Sequence, residues 1–332
     1  MTGISIIICT HNPDKFIFRR VLEAIAVCEQ PSGCGLECLI IDNKSVPSLE
    51  QETYILEILK MIEGGRIIEE TNQGLTQARK RGIKEASFSH LLFVDDDNEL
   101  DKDYLVQICK LIKNHPGLAA FNAGVIRVNF IGIVEEWFIK KAKSYYQDSD
   151  LPETIYGNDN KSFSFWPFGT GLLVSKEVCD YYVNKLEQGQ FTLTDRNGKT
   201  LSSGGDGQMV ACAIEMGYSI GRARELGLNH LIAARKANMG YLTRVSYGIY
   251  FSGELFMKEN FPENLKAITA WQETEILLKT FFLDGFKAIL KNDYKKFSVQ
   301  RSVILGKLAG NSYALNRKPS WIVNRLSREY TV

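Results

Sequence analysis

Apolar residues fall into two rhythms along the first third of the chain. Short aliphatic runs recur at Ser5 to Cys9, Glu37 to Ile41, Arg66 to Glu69 and His90 to Val94, each about one strand long. Between them, apolar positions repeat with helical period over Lys15 to Glu29, Leu49 to Glu63, Leu75 to Glu85 and Lys102 to Asn114. Strand and helix in alternation predict helical crossovers and hence a mainly parallel, doubly wound sheet. Such sheets bind ligands beyond the carboxyl ends of their strands, which makes the polar residues there the ones to inspect.

Further on the rhythm loosens. Leu118 to Val174 mixes apolar runs with a polar insert, Gln147 to Ser162, expected to form a mobile loop. Gly171 to Ser175 reads as a strand feeding a helix over Lys176 to Leu186, Asp195 to Gly198 as a hairpin-type turn, and Gly207 as the start of another helix. Beyond Ala233 the pattern is helical and aromatic, without strand alternation. The expected division is therefore a strand-and-helix domain over 1–232 and a mainly helical region over 233–332.

Composition narrows the function classes. The chain has 332 residues, 45% of them hydrophobic and 24% charged, so a fold is expected nearly end to end. Its net charge of +1 provides no whole-molecule field for nucleic acid. Charge is nevertheless segregated: Lys287 to Arg328 holds ten Lys/Arg against one acid, Asp293. That pattern suits either a basic helical appendage resting on an anionic membrane surface or a solvated helix face. Seven cysteines without a C-x-x-C pair read as small buried hydrophobes in a reducing compartment. No secretory leader and no spanning segment is apparent, so a cytoplasmic location is expected, with peripheral contact at the inner membrane face.

The chemistry concentrates at Leu91-Leu92-Phe93-Val94-Asp95-Asp96-Asp97-Asn98, three carboxylates at the end of an apolar strand. So many like charges need water or a cation, and hard oxygen ligands suit Mg²⁺ or Mn²⁺. The competing reading is an acidic turn ahead of the helix near Asp101. The other predicted strands also end in hydrogen-bonding groups: Thr10-His11-Asn12-Pro13, Asp42-Asn43-Lys44-Ser45, and Asn72-Gln73-Gly74 followed by Arg79. Each is also a good turn former. Gly74 opens a helix whose free N–H groups suit a phosphate.

In order along the chain, SIIICTHN, LIIDNKS, NQGLTQARKRG, LLFVDDDN, FGTGLLVSKEV, GGDGQM and GLNHLIAARK resemble the blocks of inverting family 2 glycosyltransferases, over roughly Ile4 to His230. The resemblance implies a GT-A nucleotide-diphospho-sugar transferase fold: a Rossmann-like mixed, mainly parallel sheet flanked by helices. It also implies transfer of a sugar from a nucleotide-diphosphate donor to an acceptor hydroxyl, in polysaccharide or glycolipid assembly. By the same resemblance, Thr10, Asn12, Asp42, Asn72, Gly74, Arg79, Asp95 and Asp96 bind the nucleotide sugar. Asp97 and His230 would hold Mn²⁺ or Mg²⁺. Gly169, Thr170 and Gly171 form the turn where acceptor meets donor sugar, and Asp206 is the catalytic base. Many relatives carry Glu-Asp where this chain has Gly205-Asp206, which leaves one carboxylate in that block. The Q-x-x-R-W string of processive synthases is missing, which favours single addition. The alternatives are a noncatalytic sugar-nucleotide-binding protein and a sugar nucleotidyltransferase, although the Gly- and Arg-rich loop that the latter needs after the first strand is lacking.

Overall fold

The computed structural model describes residues 3–195 and 203–330, so most of the turn expected over Asp195 to Gly198 lies outside the described residues. The first half alternates as the hydrophobic pattern predicts: β1 (Gly3–Thr10), α1 (Lys15–Ala26), β2 (Gly35–Asp42), α2 (Thr53–Leu59), β3 (Gly65–Glu69), α3 (Leu75–Glu85), β4 (His90–Phe93), β5 (Asn98–Leu100) and α4 (Tyr104–Asn114). The helix expected over Leu49 to Glu63 is shorter than its apolar repeat. A 3-10 turn at Leu49–Gln51 precedes α2, and the Asp42 carboxylate pins its first N–H, at Leu49.

Then come β6 (Leu118–Ile131), β7 (Ser149–Asp150), β8 (Ile155–Gly157), β9 (Leu172–Ser175), α5 (Lys176–Glu187), α6 (Gly205–Glu215) and β10 (Ser219–Ala233). The sheet order is β3-β2-β1-β4-β9-β6-β10-β5, with β7 on β6 and β8 on β10. It is parallel from β3 to β4 and again between β6 and β10, whereas β9 runs antiparallel to both β4 and β6. Thus the polar insert, expected to be a loop, contributes two short edge strands. The long β6 and β10 have no counterpart in the sequence reading. The first half of β6 is buried throughout, and β10 is interrupted by a register shift around exposed Arg224 and Glu225, so neither shows the alternation that marks a half-exposed strand.

Helices α1, α2 and α4 pack with β1 and β2 in one apolar cluster that includes Ile6, Ile40, Phe18, Leu22 and Ile108. Helix α3 lies against β1 and β2 through Ala78, Gly82 and Ile83. A side chain at Gly82 would press on Ile7 Cγ2, so glycine lets this helix come close to the sheet. Arg79, three residues earlier on that inward face, is buried.

Contacts divide the chain into two units, residues 1–190 with 206–234, and 191–205 with 235–332. Segment 191–205, read from sequence as part of the first domain, belongs with the C-terminal helices. Those are α7 (Met239–Asn260), α8 (Ala270–Lys279), α9 (Gly285–Lys291), α10 (Tyr294–Ala314) and α11 (Trp321–Ser327). Their core joins Tyr247, Leu277, Leu305, Leu308 and Val323. Gly306 and Gly310 meet the Tyr247 and Phe251 carbonyls, where a Cβ would collide, so α7 and α10 pack backbone to backbone.

Candidate active site

Strand geometry collects the polar residues at one edge of the sheet. Thr10↔Asp42 and Asp42↔Glu69 are paired neighbours, so the ends of β1, β2 and β3 lie level. Asn43 stitches them together. Its Nδ2 donates to the carbonyls of Glu70 (3.1 Å) and Asn72 (2.7 Å), its Oδ1 accepts the Gly74 N–H (2.8 Å), and its own carbonyl accepts from His11 Nδ1 (2.8 Å). The N–H of Gly74, the residue that leads into α3, is thereby fixed, with Gly74 at φ +127°, a backbone conformation that favours glycine. Asn12 adopts φ +50° and accepts the Val46 N–H on its Oδ1 at 2.8 Å. Asp42 is 2% exposed, and its two oxygens accept the N–H groups of Ser45 (2.8 Å) and Leu49 (2.9 Å). In the structure this carboxylate shapes the loop after β2. Asn72 remains exposed at the edge.

The aspartate turn follows β4. Thr10 Oγ1 donates to Asp96 at 2.5 Å. Burial drives the Asp95 carboxyl well above the usual carboxylate range; Asp97 pushes the same way, Arg79 opposes, and Asp206 and Asp96 add to the rise. The electrostatics therefore bring together five of the residues singled out from sequence, with four carboxylates only partly offset by Arg79. Arg79, which the resemblance puts near ribose and diphosphate, forms an ion pair with Asp206.

Asp206 sits in the first turn of α6 and lies directly against Gly169: a Cβ there would overlap its carboxylate. The turn over 169–171 is held from behind. Tyr104 Oη donates to the Gly171 carbonyl at 2.9 Å, Asn122 Nδ2 to that of Thr170 at 3.3 Å, and the Thr170 hydroxyl to Gln147. Gly171, at φ +64°, would drive a side chain into Tyr104 and Leu228.

Strand pairing explains His230. Antiparallel β5 and β10 set Asn98 opposite His230, which places the imidazole beside the aspartate turn. Nδ1 donates to the Tyr146 carbonyl at 2.9 Å, so that nitrogen carries a proton and Nε2 faces Asp97 Oδ1 at 3.5 Å. A neutral imidazole in that tautomer turns a lone pair toward a carboxylate oxygen, an arrangement completed by a proton or a metal ion between them. Among the described residues no three His, Cys, Asp or Glu side chains converge as a complete metal cage. Mg²⁺ characteristically uses one or two carboxylates together with substrate phosphates, so this donor set fits such an ion.

Several supporting groups escaped the sequence reading. Asn43 reads there only as a turn residue, Tyr104 falls in the helix expected over Lys102 to Asn114 with no signal of its own, and the Tyr146 carbonyl leaves no sequence signal at all.

Residues 5–168 match the family described as Glycosyl transferase family 2. A protein of Bacillus subtilis (strain 168) named "Putative glycosyltransferase EpsH" is 24% identical over 120 residues, which are 36% of this chain and 33% of that protein. The match thus spans about a third of the length of this curated relative. Among solved structures, S. aureus TarS 1-349 in complex with UDP-GlcNAc is similar at TM-score 0.48 and 15% identity, over 95% of this chain and 93% of that one. The same protein in complex with UDP gives 0.47 and 14%, over 95% and 92%.

Proposed function

Residues 5–168 place this chain in glycosyl transferase family 2, and from that premise we propose that it transfers a sugar from a nucleotide-diphosphate donor to an acceptor hydroxyl with inversion, aided by a divalent metal. The observation that carries this reading is the convergence of Asp206, Gly169, Arg79 and the aspartate turn, which come from four separate segments.

Thr10, Asn12, Asn72 and Gly74 line the nucleotide side, and Asp42 holds the loop beside it through the Ser45 and Leu49 N–H groups. Asp95 and Asp96 flank the donor sugar and diphosphate. Asp97 and His230 are the residues that would hold Mn²⁺ or Mg²⁺. Bound there, the ion would neutralise charge developing on the departing diphosphate. Gly169 brings the acceptor next to the Asp206 carboxylate, because no side chain stands between turn and helix. Asp206 takes the proton from the acceptor hydroxyl as the oxygen attacks the anomeric carbon opposite the leaving group. Arg79 orients that carboxylate through its guanidinium.

The acceptor is a growing saccharide or lipid-linked oligosaccharide at the cytoplasmic face of a membrane. No described helix is long and apolar enough to cross one.

Thermal-shift titration with UDP-, GDP- and dTDP-sugars, with and without Mn²⁺, identifies the donor class through ligand stabilisation. With that donor, Asp206→Asn lowers turnover ~10²–10⁴-fold while nucleotide binding holds. Unchanged turnover removes the base assignment, retained anomeric configuration removes inversion, and metal-independent donor binding removes the Asp97 and His230 role.

A further inference from the structure

The second unit turns apolar side chains outward. Its backbone is helical without a break from Ala270 to Lys291: α8, a π-helical turn over Thr280–Asp284, then α9. One side of this segment is buried through Glu273, Leu277, Thr280 and Ala288. The other exposes Leu278, Phe282, Phe286 and Leu290, four residues apart and so one stripe, with Trp271 a further two turns before Leu278. Trp271 is 78% exposed, Phe282 72%, Phe286 61% and Leu290 70%. Single exposed hydrophobics are ordinary on a protein surface, but a continuous stripe of large ones marks an interaction face.

Charge selects its partner. Along the segment Lys279 and Lys287 pair with Glu275 and Asp284, and Lys291 stands exposed at its end. Three residues past the segment's end begins the lining of a cavity of about 420 Å³, set between the first turns of α7 and α10. Arg244, Lys295 and Arg301 line it against one carboxylate, Glu329, which pairs with Arg301. Forked guanidinium donors suit phosphate oxygens, which can displace Glu329 from Arg301. An exposed apolar stripe and a cavity lined by three cations, within one unit, describe the chemistry of an anionic lipid.

We propose that segment 270–291 lies in the plane of an anionic bilayer with its aromatic and leucine stripe among the acyl chains, while the Arg244, Lys295 and Arg301 cavity takes a headgroup phosphate. This rests on the reading that the acceptor is presented at a membrane, and it supplies the surface that reading lacks.

Co-sedimentation of the full chain with phosphatidylcholine vesicles, with and without phosphatidylglycerol, tests it. Retention is expected on phosphatidylglycerol vesicles and should weaken as salt rises. F282E/F286E should lower retention on the order of tenfold, and Arg244→Gln with Lys295→Gln should abolish the preference for anionic lipid while leaving weak binding to any vesicle. Transfer to a soluble acceptor should stay unchanged in both variants, so loss of transfer there counts against the catalytic reading and not against this one. Equal retention on neutral and anionic lipid, or wild-type retention by F282E/F286E with a native thermal melt, overturns the proposal. So does a dimer in light scattering that F282E/F286E converts to monomer, which identifies a second copy as the occupant. Binding of glycerol phosphate without any vesicle retention overturns it in favour of a soluble phosphate ligand.

Discussion

The two units handle misplaced polarity in opposite ways. In the first, carboxylates gather at the end of β4 with too few cations around them, and burial lifts Asp95 out of the usual carboxylate range. In the second, the buried carboxylate and amide are held by hydrogen bonds from all sides. Glu273 accepts from Ser312 Oγ (2.7 Å) and the Ser320 N–H (3.0 Å), and Asn311 bridges Glu254, the Lys266 carbonyl and the Ile268 N–H. There the outliers are apolar and lie on the surface. A cluster of like charges gathered at a strand end marks chemistry, whereas a single buried charge held by backbone and hydroxyl donors marks architecture.

Gly169→Ala tests the first half of that contrast most severely. The added methyl collides with the Asp206 carboxylate, and a displaced base of this kind should cost on the order of 10²-fold in kcat with little change in donor affinity. If kcat is unaffected, the contact between turn and helix has no part in catalysis.

Next in size, His230→Ala should raise the Mn²⁺ concentration needed for half-maximal donor binding by ~10–100-fold, measured by calorimetry. An unaltered metal dependence would show that His230 merely pairs with Asp97.

In the second unit the expected losses are of stability and not of turnover. Glu273→Ala strands the Ser320 N–H and the Ser312 hydroxyl in a buried site, which should cost about 1–3 kcal/mol in denaturant unfolding. A neutral result would mean that water reaches this helix packing and that the network is not architectural.

The smallest effect concerns pH. Glu37, buried in β2, is pushed up by burial but brought below its ordinary range overall by the Ser87 N–H, the Ser5 hydroxyl and Arg66. A carboxylate depressed on folding stabilises above its unfolded value and loses that contribution as pH falls through the folded one. Stability should therefore decline on acidification from about pH 4 downward, and Glu37→Gln should flatten that part of the profile. This group lies in the first unit yet is fully partnered, so it should behave like Glu273 and leave turnover at neutral pH alone.

Much of this was legible from residue order. The period of apolar positions located β1 to β4 and their helices to within a few residues, and α3 over Leu75–Glu85 without error. Polar residues after those strands were correctly taken as neighbours, since parallel strands of similar length end on one edge. β6 was missed because a strand buried on both sides loses its alternation, β10 because an irregularity at exposed Arg224 and Glu225 interrupts it, and residues 147–162 because short edge strands carry almost no pattern.

On its own, then, the amino-acid order determined β1 to β4, the helices between them and which functional groups stand at their ends. These depend on local period and turn chemistry. Tertiary structure alone decided that Arg79 pairs with Asp206, that Tyr146 turns the His230 lone pair toward Asp97, and that one side of 270–291 finds no cover. Those outcomes depend on which distant surfaces pack together, and residue spacing along a chain carries no record of that.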